Sequence, residues 1–151
     1  MIRNFTREDS DEWLRMRVAL WPDCSDEMHR LEIAEQSEGS DVAVLVYARS
    51  DGRLGGFIEL SVRDRVDGSM SRQAAYIEGW CVDPDLRGQG IGRQLVERTE
   101  AWACQGGLTE LASDAEIQNE HSIQAHHALG FSETFRLVHF LKPVAGRARS
   151  S

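Results

Sequence analysis

The chain has 151 residues, 25 acidic and 17 basic side chains and a formal net charge of −8. This length fits a single domain, and 41% hydrophobic with 28% charged residues is the composition of a globular protein, which excludes collagen-like and disordered chains. The acidic excess makes nucleic acid an unfavourable partner and is compatible with a cationic ligand, although solubility alone is a sufficient explanation.

The sequence carries neither a membrane segment nor a cysteine pattern of the disulfide or zinc type. No apolar run approaches the roughly 18 residues of a membrane helix, and Met1 to Phe5 lacks the apolar core of a signal peptide. We therefore expect a cytoplasmic protein without a membrane partner. Cys24, Cys81 and Cys104 are odd in number and far apart, which predicts free thiols and no metal site.

The N-terminal part of the chain predicts a strand and two helices. Ile2 to Thr6 has the pattern of a short strand, and Thr6 with Asp9 has the capping-box spacing that starts a helix. Pro22 ends that helix, and Ser25 is a candidate N-cap for the next one. The second helix is weakly apolar and strongly acidic, so we expect it to form a rim. Its acids are Asp26, Glu27, Glu32, Glu35 and Glu38.

The central part of the chain predicts three strands. They extend over Val42–Ala48, Leu54–Val62 and Ala74–Val82, with a turn at Asp51-Gly52 and a stop at Asp83-Pro84. Val42–Ala48 is continuously apolar, the pattern of a strand covered on both faces.

The C-terminal part predicts two helices and further strands. Helical spacing runs from Ile91 to Gly106-Gly107, and a second helix covers Asn119 to Leu129. Leu108–Ser113 is a predicted short strand, and Phe131–Leu141 supplies one or two more. The order predicts an α/β protein with a mixed sheet, a single domain over residues 1–143 and a flexible tail over residues 144–151.

A glycine-rich segment between a strand and a helix, Arg87 to Gly92, carries the first functional signal. Three glycines in five residues allow a tight turn that presents N–H groups at a helix N-terminus, where a pyrophosphate binds well. A ligand-free turn is the alternative. A dinucleotide fingerprint would need glycine at Arg93 or Leu95, and a P-loop would need a lysine, but Lys142 is the only one in the chain.

The form Arg87-x-x-Gly90-x-Gly92 resembles the pyrophosphate loop of the GNAT acetyltransferase superfamily. Two more segments are similar to that family: the run from Asn119 to Phe131, with His126 where tyrosine is usual, and Ile77 to Pro84, similar to the splayed fourth strand that pairs with pantetheine. The resemblance implies a mostly antiparallel central sheet flanked by helices and acetyl-CoA as cosubstrate. It assigns acetyl-CoA binding to Trp80, Cys81, Val82, Arg87, Gly88, Gln89, Gly90, Ile91, Gly92, Arg93 and Asn119.

Within the superfamily, the chain is most similar to the aminoglycoside 6′-N-acetyltransferases. The matching segments are Leu20-Trp21-Pro22, Glu78-Gly79, Ala112-Ser113-Asp114, and His126 with the run that ends at Phe131. The loop over residues 63–68 departs from that pattern because it is shorter and lacks a tyrosine, and Phe135 stands where some relatives have an acid. The resemblance implies direct acetyl transfer from acetyl-CoA to the 6′-amine of an aminoglycoside, in a ternary complex, and hence antibiotic resistance.

Proton transfer needs a base for the acceptor ammonium and a proton source for the thiolate. Glu78 in mid-strand and Asp114 at the end of the next strand are the candidate bases and ammonium ligands, although a solvated acid and a helix cap are the alternatives. His126 is the candidate acid, or a packed helix histidine. Trp21 is either a stacking wall for a sugar ring or a core residue.

Several alternatives stay open at this point. The acceptor could be another amine, such as a polyamine, a peptide N-terminus or a small metabolite, or the protein could be a non-catalytic acyl-CoA-binding regulator. A covalent intermediate on Cys81 is the alternative to direct transfer. We expect Glu32, Glu35 and Glu38 to form a negative basin for a polycation. We also expect a homodimer, because strands over Phe131–Leu141 leave an open edge.

Overall fold

The computed structural model describes residues 1–145 and contains one five-stranded sheet in the order β1-β2-β3-β4-β5. The first three strand pairs are antiparallel, and β4 pairs with β5 in parallel. The predicted mixed, mostly antiparallel sheet is therefore confirmed. The strands are β1 (Ile2–Asn4), β2 (Val42–Ala48), β3 (Leu54–Asp64), β4 (Gln73–Val82) and β5 (Leu111–Ala112).

Four α-helices flank the sheet: α1 (Ser10–Leu20), α2 (Asp26–Ser37), α3 (Ile91–Gln105) and α4 (Glu120–Ala128). The predicted cap explains where α2 begins, because the Ser25 hydroxyl oxygen accepts from the Met28 N–H at 3.1 Å. The Thr6–Asp9 pair starts a 3₁₀ turn over Arg7–Asp9 ahead of α1, and in it the Thr6 N–H donates to Asp9 Oδ2 at 2.8 Å. Both contacts satisfy backbone donors that a helix start would otherwise leave free.

Alternation along β2 and β3 divides the core between the two faces of the sheet. Side chains of successive residues point to opposite faces, so Val44 and Val46 pack with α1 and α2 while Leu45 packs with α3. Phe57 and Ile58 divide in the same way. The continuous apolar run of β2 is thus covered on both sides, as its sequence predicts.

The predicted strands over Phe131–Leu141 are wrong. Residues 131–145 contain no strand, and Phe140 and Leu141 are 91% and 99% exposed. Alternating apolar residues favour a strand, but a strand also needs a neighbouring edge, and β5 is only two residues long where Leu108–Ser113 is predicted. The predicted tail over residues 144–151 lies mostly outside the described residues.

Within residues 1–145, no helix has the length and apolar character needed to cross a membrane.

Candidate active site

A β-bulge in β4 shapes the centre of the site. Glu59 of β3 pairs with Gly79 and Leu60 pairs with Ile77, so Glu78 is the extra residue between them. A bulge of this kind twists the strand and changes the direction of the side chain that it carries. Beyond the two pairs that β5 makes, no strand in the described part of the chain pairs with that edge of β4. The backbone of Trp80, Cys81 and Val82 therefore borders an opening suited to an extended ligand.

The glycine-rich loop follows a 3₁₀ turn over Pro84–Leu86 and leads into α3. Gly88 and Gly90 have φ of +80° and +83°, which L side chains rarely adopt. A Cβ at either position would meet no heavy atom within 4 Å, so open space lies beside both. No side chain caps α3 and its first turn contains no acid. The free N–H groups and the helix dipole fit a pyrophosphate.

The side chains around this loop hold it to the rest of the protein. Arg87 Nε donates to the Val82 carbonyl at 3.0 Å, Gln89 Nε2 lies 3.4 Å from the Asp85 carbonyl, and Arg93 Nη2 donates to Ala128 at 3.2 Å. Strand β4 and helix α4 thereby fix the loop. The backbone donors of residues 89–93 are left to face a ligand.

A cavity of about 800 Å³ lies between α1, α2 and strands β3 and β4. Trp21 lines it, as do Glu32 and Glu35 of the predicted basin, whereas Glu38 at the C-cap of α2 does not. Among the described residues, six carboxylates line this open cavity against one arginine, Arg17, so the cavity attracts a polycation more strongly than an anion or a neutral sugar. They belong to Asp23, Glu32, Glu35, Glu59, Glu78 and Glu116.

Both predicted bases are hydrogen-bonded in the structure. Glu78 accepts hydrogen bonds from the Ser61 hydroxyl at 2.5 Å and from Arg63 Nε and Nη2 at 2.8 and 2.5 Å. Asp114 is exposed and accepts from the Tyr76 hydroxyl. Burial, together with the hydrogen bond to Asp114, raises the pKa of Tyr76 well above its ordinary value. Tyr76 therefore stays protonated and keeps donating to Asp114 over the whole physiological range.

His126 is held in one orientation. Its ring packs edge-on against Trp80 and Phe131, with centroids 5.5 and 5.2 Å away. Nδ1 lies 2.7 Å from the Ser122 carbonyl oxygen and Nε2 lies 2.8 Å from the Ser113 hydroxyl. A carbonyl only accepts, so Nδ1 carries the proton and, in the neutral ring, Nε2 accepts from Ser113. Proton donation from Nε2, the predicted role, therefore requires the imidazolium form.

Asn119, which the resemblance assigns to acetyl-CoA, begins α4. Its side-chain oxygen accepts from the Ser122 N–H at 3.1 Å. This cap fixes the first turn of the helix that carries His126.

A buried ion pair forms the floor of the cavity. Arg17, 2% exposed, donates to both carboxylate oxygens of Glu59 at 2.6 and 2.5 Å, to Glu32, and to His29 Nδ1 at 3.2 Å. Its guanidinium carbon lies 4.6 Å from the centre of the Trp21 ring. Burial raises the pKa of Glu59 even though Arg17 acts to lower it. The network fixes Trp21 and two of the cavity carboxylates.

Sequence reasoning missed several of these residues. Glu59 had a signal, since one acid within the apolar run of β3 suggests a buried partner, and Arg17 lies between apolar residues of α1. Ser61, Arg63 and Tyr76 had no distinguishing pattern. Their role follows only from the pairing of β3 with β4.

The cysteines and a small metal-like cluster do not add chemistry here. Burial raises the pKa of the Cys81 thiol, which disfavours the thiolate that a covalent route would need. Cys24, His29 and Glu32 place ligand atoms within 4.8 Å of one another. Arg17 bonds both His29 and Glu32, and its buried positive charge makes this cluster unsuitable for a metal cation.

Comparison with known proteins identifies the family. The pattern of the acetyltransferase (GNAT) family matches residues 4–131, which is most of the chain. The chain belongs to the GNAT acetyltransferase family. Among its GNAT relatives, an aminoglycoside N(6′)-acetyltransferase type 1 of Klebsiella aerogenes is 42% identical over 95% of this chain and 97% of that protein. One from Stenotrophomonas maltophilia is 37% identical over 95% and 93%.

Solved GNAT structures agree with this fold over nearly the whole chain. The crystal structure of aminoglycoside 6′-N-acetyltransferase AAC(6′)-Ih from Acinetobacter baumannii has a TM-score of 0.88 at 34% identity and covers 95% of this chain and 98% of that one. AAC(6′)-Iy in complex with the bisubstrate analog CoA-S-monomethyl-acetylneamine also has a TM-score of 0.88, at 32% identity and the same coverage.

Proposed function

We propose that this GNAT enzyme transfers the acetyl group of acetyl-CoA to the 6′-amine of aminoglycoside antibiotics and so confers resistance. The observation that carries the proposal is the cavity of about 800 Å³ with six carboxylates beside the open edge of β4. An aminoglycoside is a polycation, opposite in sign to the charge of this cavity. The relatives from Klebsiella aerogenes and Stenotrophomonas maltophilia and the structure from Acinetobacter baumannii are aminoglycoside 6′-N-acetyltransferases, which supports the same acceptor.

The loop backbone from Gln89 to Arg93 holds the pyrophosphate of acetyl-CoA in this proposal, and the edge of β4 from Trp80 to Val82 pairs with pantetheine. The thioester then lies near the bulge at Glu78. Because acetyl-CoA is a cytoplasmic metabolite, we also propose that the enzyme acts in the cytoplasm. Support for the loop comes from the open space beside Gly88 and Gly90.

Acetyl transfer is direct in this proposal, without an acetylated enzyme. Asp114 binds the acceptor ammonium and, alone or through water with Glu78, takes its proton, and the free amine attacks the thioester carbonyl. The new carbon–nitrogen bond forms as the carbon–sulfur bond breaks, and the nitrogen loses its second proton to solvent. The imidazolium of His126 or solvent gives a proton to the CoA thiolate. The protonated thiol of Cys81 supports the direct route over a covalent one.

The acceptor is tested by CoA release with kanamycin, which has a 6′-amine, and paromomycin, which has a 6′-hydroxyl. We expect turnover with kanamycin only. Turnover of a polyamine or peptide instead would assign another amine, and acetyl-CoA binding without any turnover would indicate a regulator. Gly90→Val, strained at φ +83°, should weaken acetyl-CoA binding measured by calorimetry.

The base is tested with Asp114→Asn. General acid–base assistance is typically worth about 10²–10⁴ in rate, so kcat/KM for kanamycin should fall at least about a hundredfold while acetyl-CoA binding stays intact. Asp67→Asn is the matched control because Asp67 is also exposed but lies in the loop between β3 and β4. Near wild-type activity of Asp114→Asn from pH 6 to 9 would transfer the role to Glu78.

The negative cavity also predicts a dependence on ionic strength. Exposed charges are screened beyond about 10 Å at 0.1 M salt, so the KM for kanamycin should rise with added salt while that for acetyl-CoA changes less. A KM for kanamycin that stays constant from low to high salt would show that the carboxylates do not attract the acceptor from a distance.

The exposed C-terminal segment supports a homodimer. Phe140 and Leu141 are 91% and 99% exposed, and the two-residue strand β5 ends the sheet. Apolar surface of this kind usually meets a partner, and a second copy supplies a strand for each free edge. We expect twice the 17.0 kDa chain mass in light scattering. Phe140→Asp should shift the mass to a monomer, whereas Met70→Asp, at a site 96% exposed elsewhere, should not.

A further inference from the structure

Arg63 holds its positive charge beside Glu78, one of the two carboxylates proposed to act on the acceptor ammonium. Its Nε and Nη2 lie 2.8 and 2.5 Å from the two oxygens of Glu78, a bidentate ion pair. Its guanidinium carbon lies 3.6 Å from the centre of the Tyr76 ring, and the Tyr76 hydroxyl donates to Asp114. One guanidinium thus contacts the surroundings of both candidate bases.

We propose that Arg63 is a specificity-determining residue, an internal cation that occupies Glu78 and that the acceptor ammonium must displace. The inference rests on the proposed function, since it takes an ammonium group as the displacing ligand. It assigns to Arg63 the control of how tightly a 6′-ammonium binds. An acceptor with a hydroxyl at that position has no charge with which to displace it.

The position of Arg63 allows the displacement. Its side chain is 46% exposed, whereas that of Glu78 is 25% exposed and fixed by the Ser61 hydroxyl. The last two residues of β3, Arg63 and Asp64, are exposed, so the guanidinium can swing into solvent without disturbing the core. Partly exposed ion pairs are weak, and their loss changes an equilibrium constant by about two- to fivefold.

The other carboxylates of the cavity supply the binding free energy that a single ammonium lacks for displacing Arg63. A polycation also contacts carboxylates such as Glu32 and Glu35, which line the same cavity. Binding at these remote groups offsets the cost of separating Arg63 from Glu78. Once Arg63 leaves, Glu78 is free to orient the ammonium.

The test is calorimetric titration of kanamycin and paromomycin into the wild type, Arg63→Ala and Arg72→Ala. Arg72 is the matched control, an exposed arginine on the far side of the same loop. We expect Arg63→Ala to bind kanamycin about two- to fivefold more tightly, with paromomycin unchanged relative to the Arg72→Ala control. Acetyl-CoA binding and circular dichroism, unchanged in both variants, report intact folding.

Two results would overturn the role of Arg63: unchanged or weaker kanamycin binding by Arg63→Ala, or equal tightening by Arg72→Ala, which indicates a general charge effect. Because the titration measures binding without turnover, it is independent of acetylation. Tighter kanamycin binding by an enzyme that never acetylates it would support the displacement and refute the proposed reaction. Acetylation of kanamycin with unchanged binding would do the reverse.

Discussion

Replacing Arg17 by methionine removes the only guanidinium that contacts the buried carboxylate of Glu59 within residues 1–145. The two side chains are 2% and 4% exposed, so Glu59 would keep the hydrogen bond from the Trp13 indole N–H but lose its counter-charge in the interior. Breaking a buried pair by removing one partner typically costs about 3–5 kcal/mol. Domains of this size have a free energy of unfolding of about 5–15 kcal/mol, so the loss is a large part of the total.

Urea unfolding measures this loss directly. With an m-value of about 2 kcal/mol/M, a loss of about 3–5 kcal/mol lowers the midpoint by about 1.5–2.5 M. The double variant Arg17→Met with Glu59→Leu removes both charges and should be more stable than Arg17→Met alone, because apolar side chains of similar volume often replace a buried pair without cost. If Arg17→Met at pH 8 unfolds within about 1 kcal/mol of the wild type, Glu59 carries no uncompensated buried charge in the variant and the reasoning is refuted.

The deficit should also depend on pH. Burial already raises the pKa of Glu59, and removing Arg17 removes the main influence that lowers it. A carboxyl whose pKa is higher folded than unfolded loses stability as pH rises between the two values, by about 1.4 kcal/mol per unit. The deficit of Arg17→Met should therefore be smaller at pH 5 than at pH 8. An equal deficit at both values would contradict this origin.

Three further predictions concern single residues. Gly79→Ala places a Cβ against the Trp21 indole, so the kanamycin KM should rise about tenfold in steady-state kinetics with little change for acetyl-CoA. The kcat of Cys81→Ala should stay within about threefold of the wild-type value, because a protonated thiol is a poor nucleophile. A larger loss would support the covalent route. Hydrogen bonds from Ser69 and its neighbours lower the pKa of Glu110 to about 2. The stabilisation of the fold by the Glu110 carboxylate should therefore be complete above pH 4.5 and be lost as the pH falls from 4.5 to about 2. A carboxyl NMR titration with a midpoint near 4.5 would contradict it.

The sequence predicted the sheet well because its strands alternate or run apolar between clear turns. Val42–Ala48 matches β2 at both ends, and the helix after Gly90 begins at Ile91 as the glycine spacing indicates. The strand prediction for Phe131–Leu141 is wrong for a physical reason. Apolar residues in this segment indicate that it becomes buried, but they do not indicate whether the same molecule or another one buries it. The same local pattern is compatible with a strand inside one molecule and with a segment that packs against a second molecule.

The candidate site was predictable only in part. Gly90 is recognisable because it belongs to a glycine-rich turn before a helix, and His126 because it belongs to a segment that resembles the GNAT family. Arg63 and Tyr76 lie on the two strands of one hairpin, and their contact depends on the register between β3 and β4, which no short segment encodes. The partners that hold Glu78 and Asp114 therefore needed the structure.

The division of the chain between the two ligands affects how the enzyme can evolve. Eleven of the thirteen residues that line the acceptor cavity precede residue 62, whereas the loop and strand edge proposed for acetyl-CoA lie within residues 80–93. Substitutions in the first 61 residues can reshape the pocket for a new drug while the donor machinery stays intact. Selection can therefore change the drug spectrum through the wall of the cavity, while Arg63, Glu78 and Asp114 keep their places around the reacting ammonium.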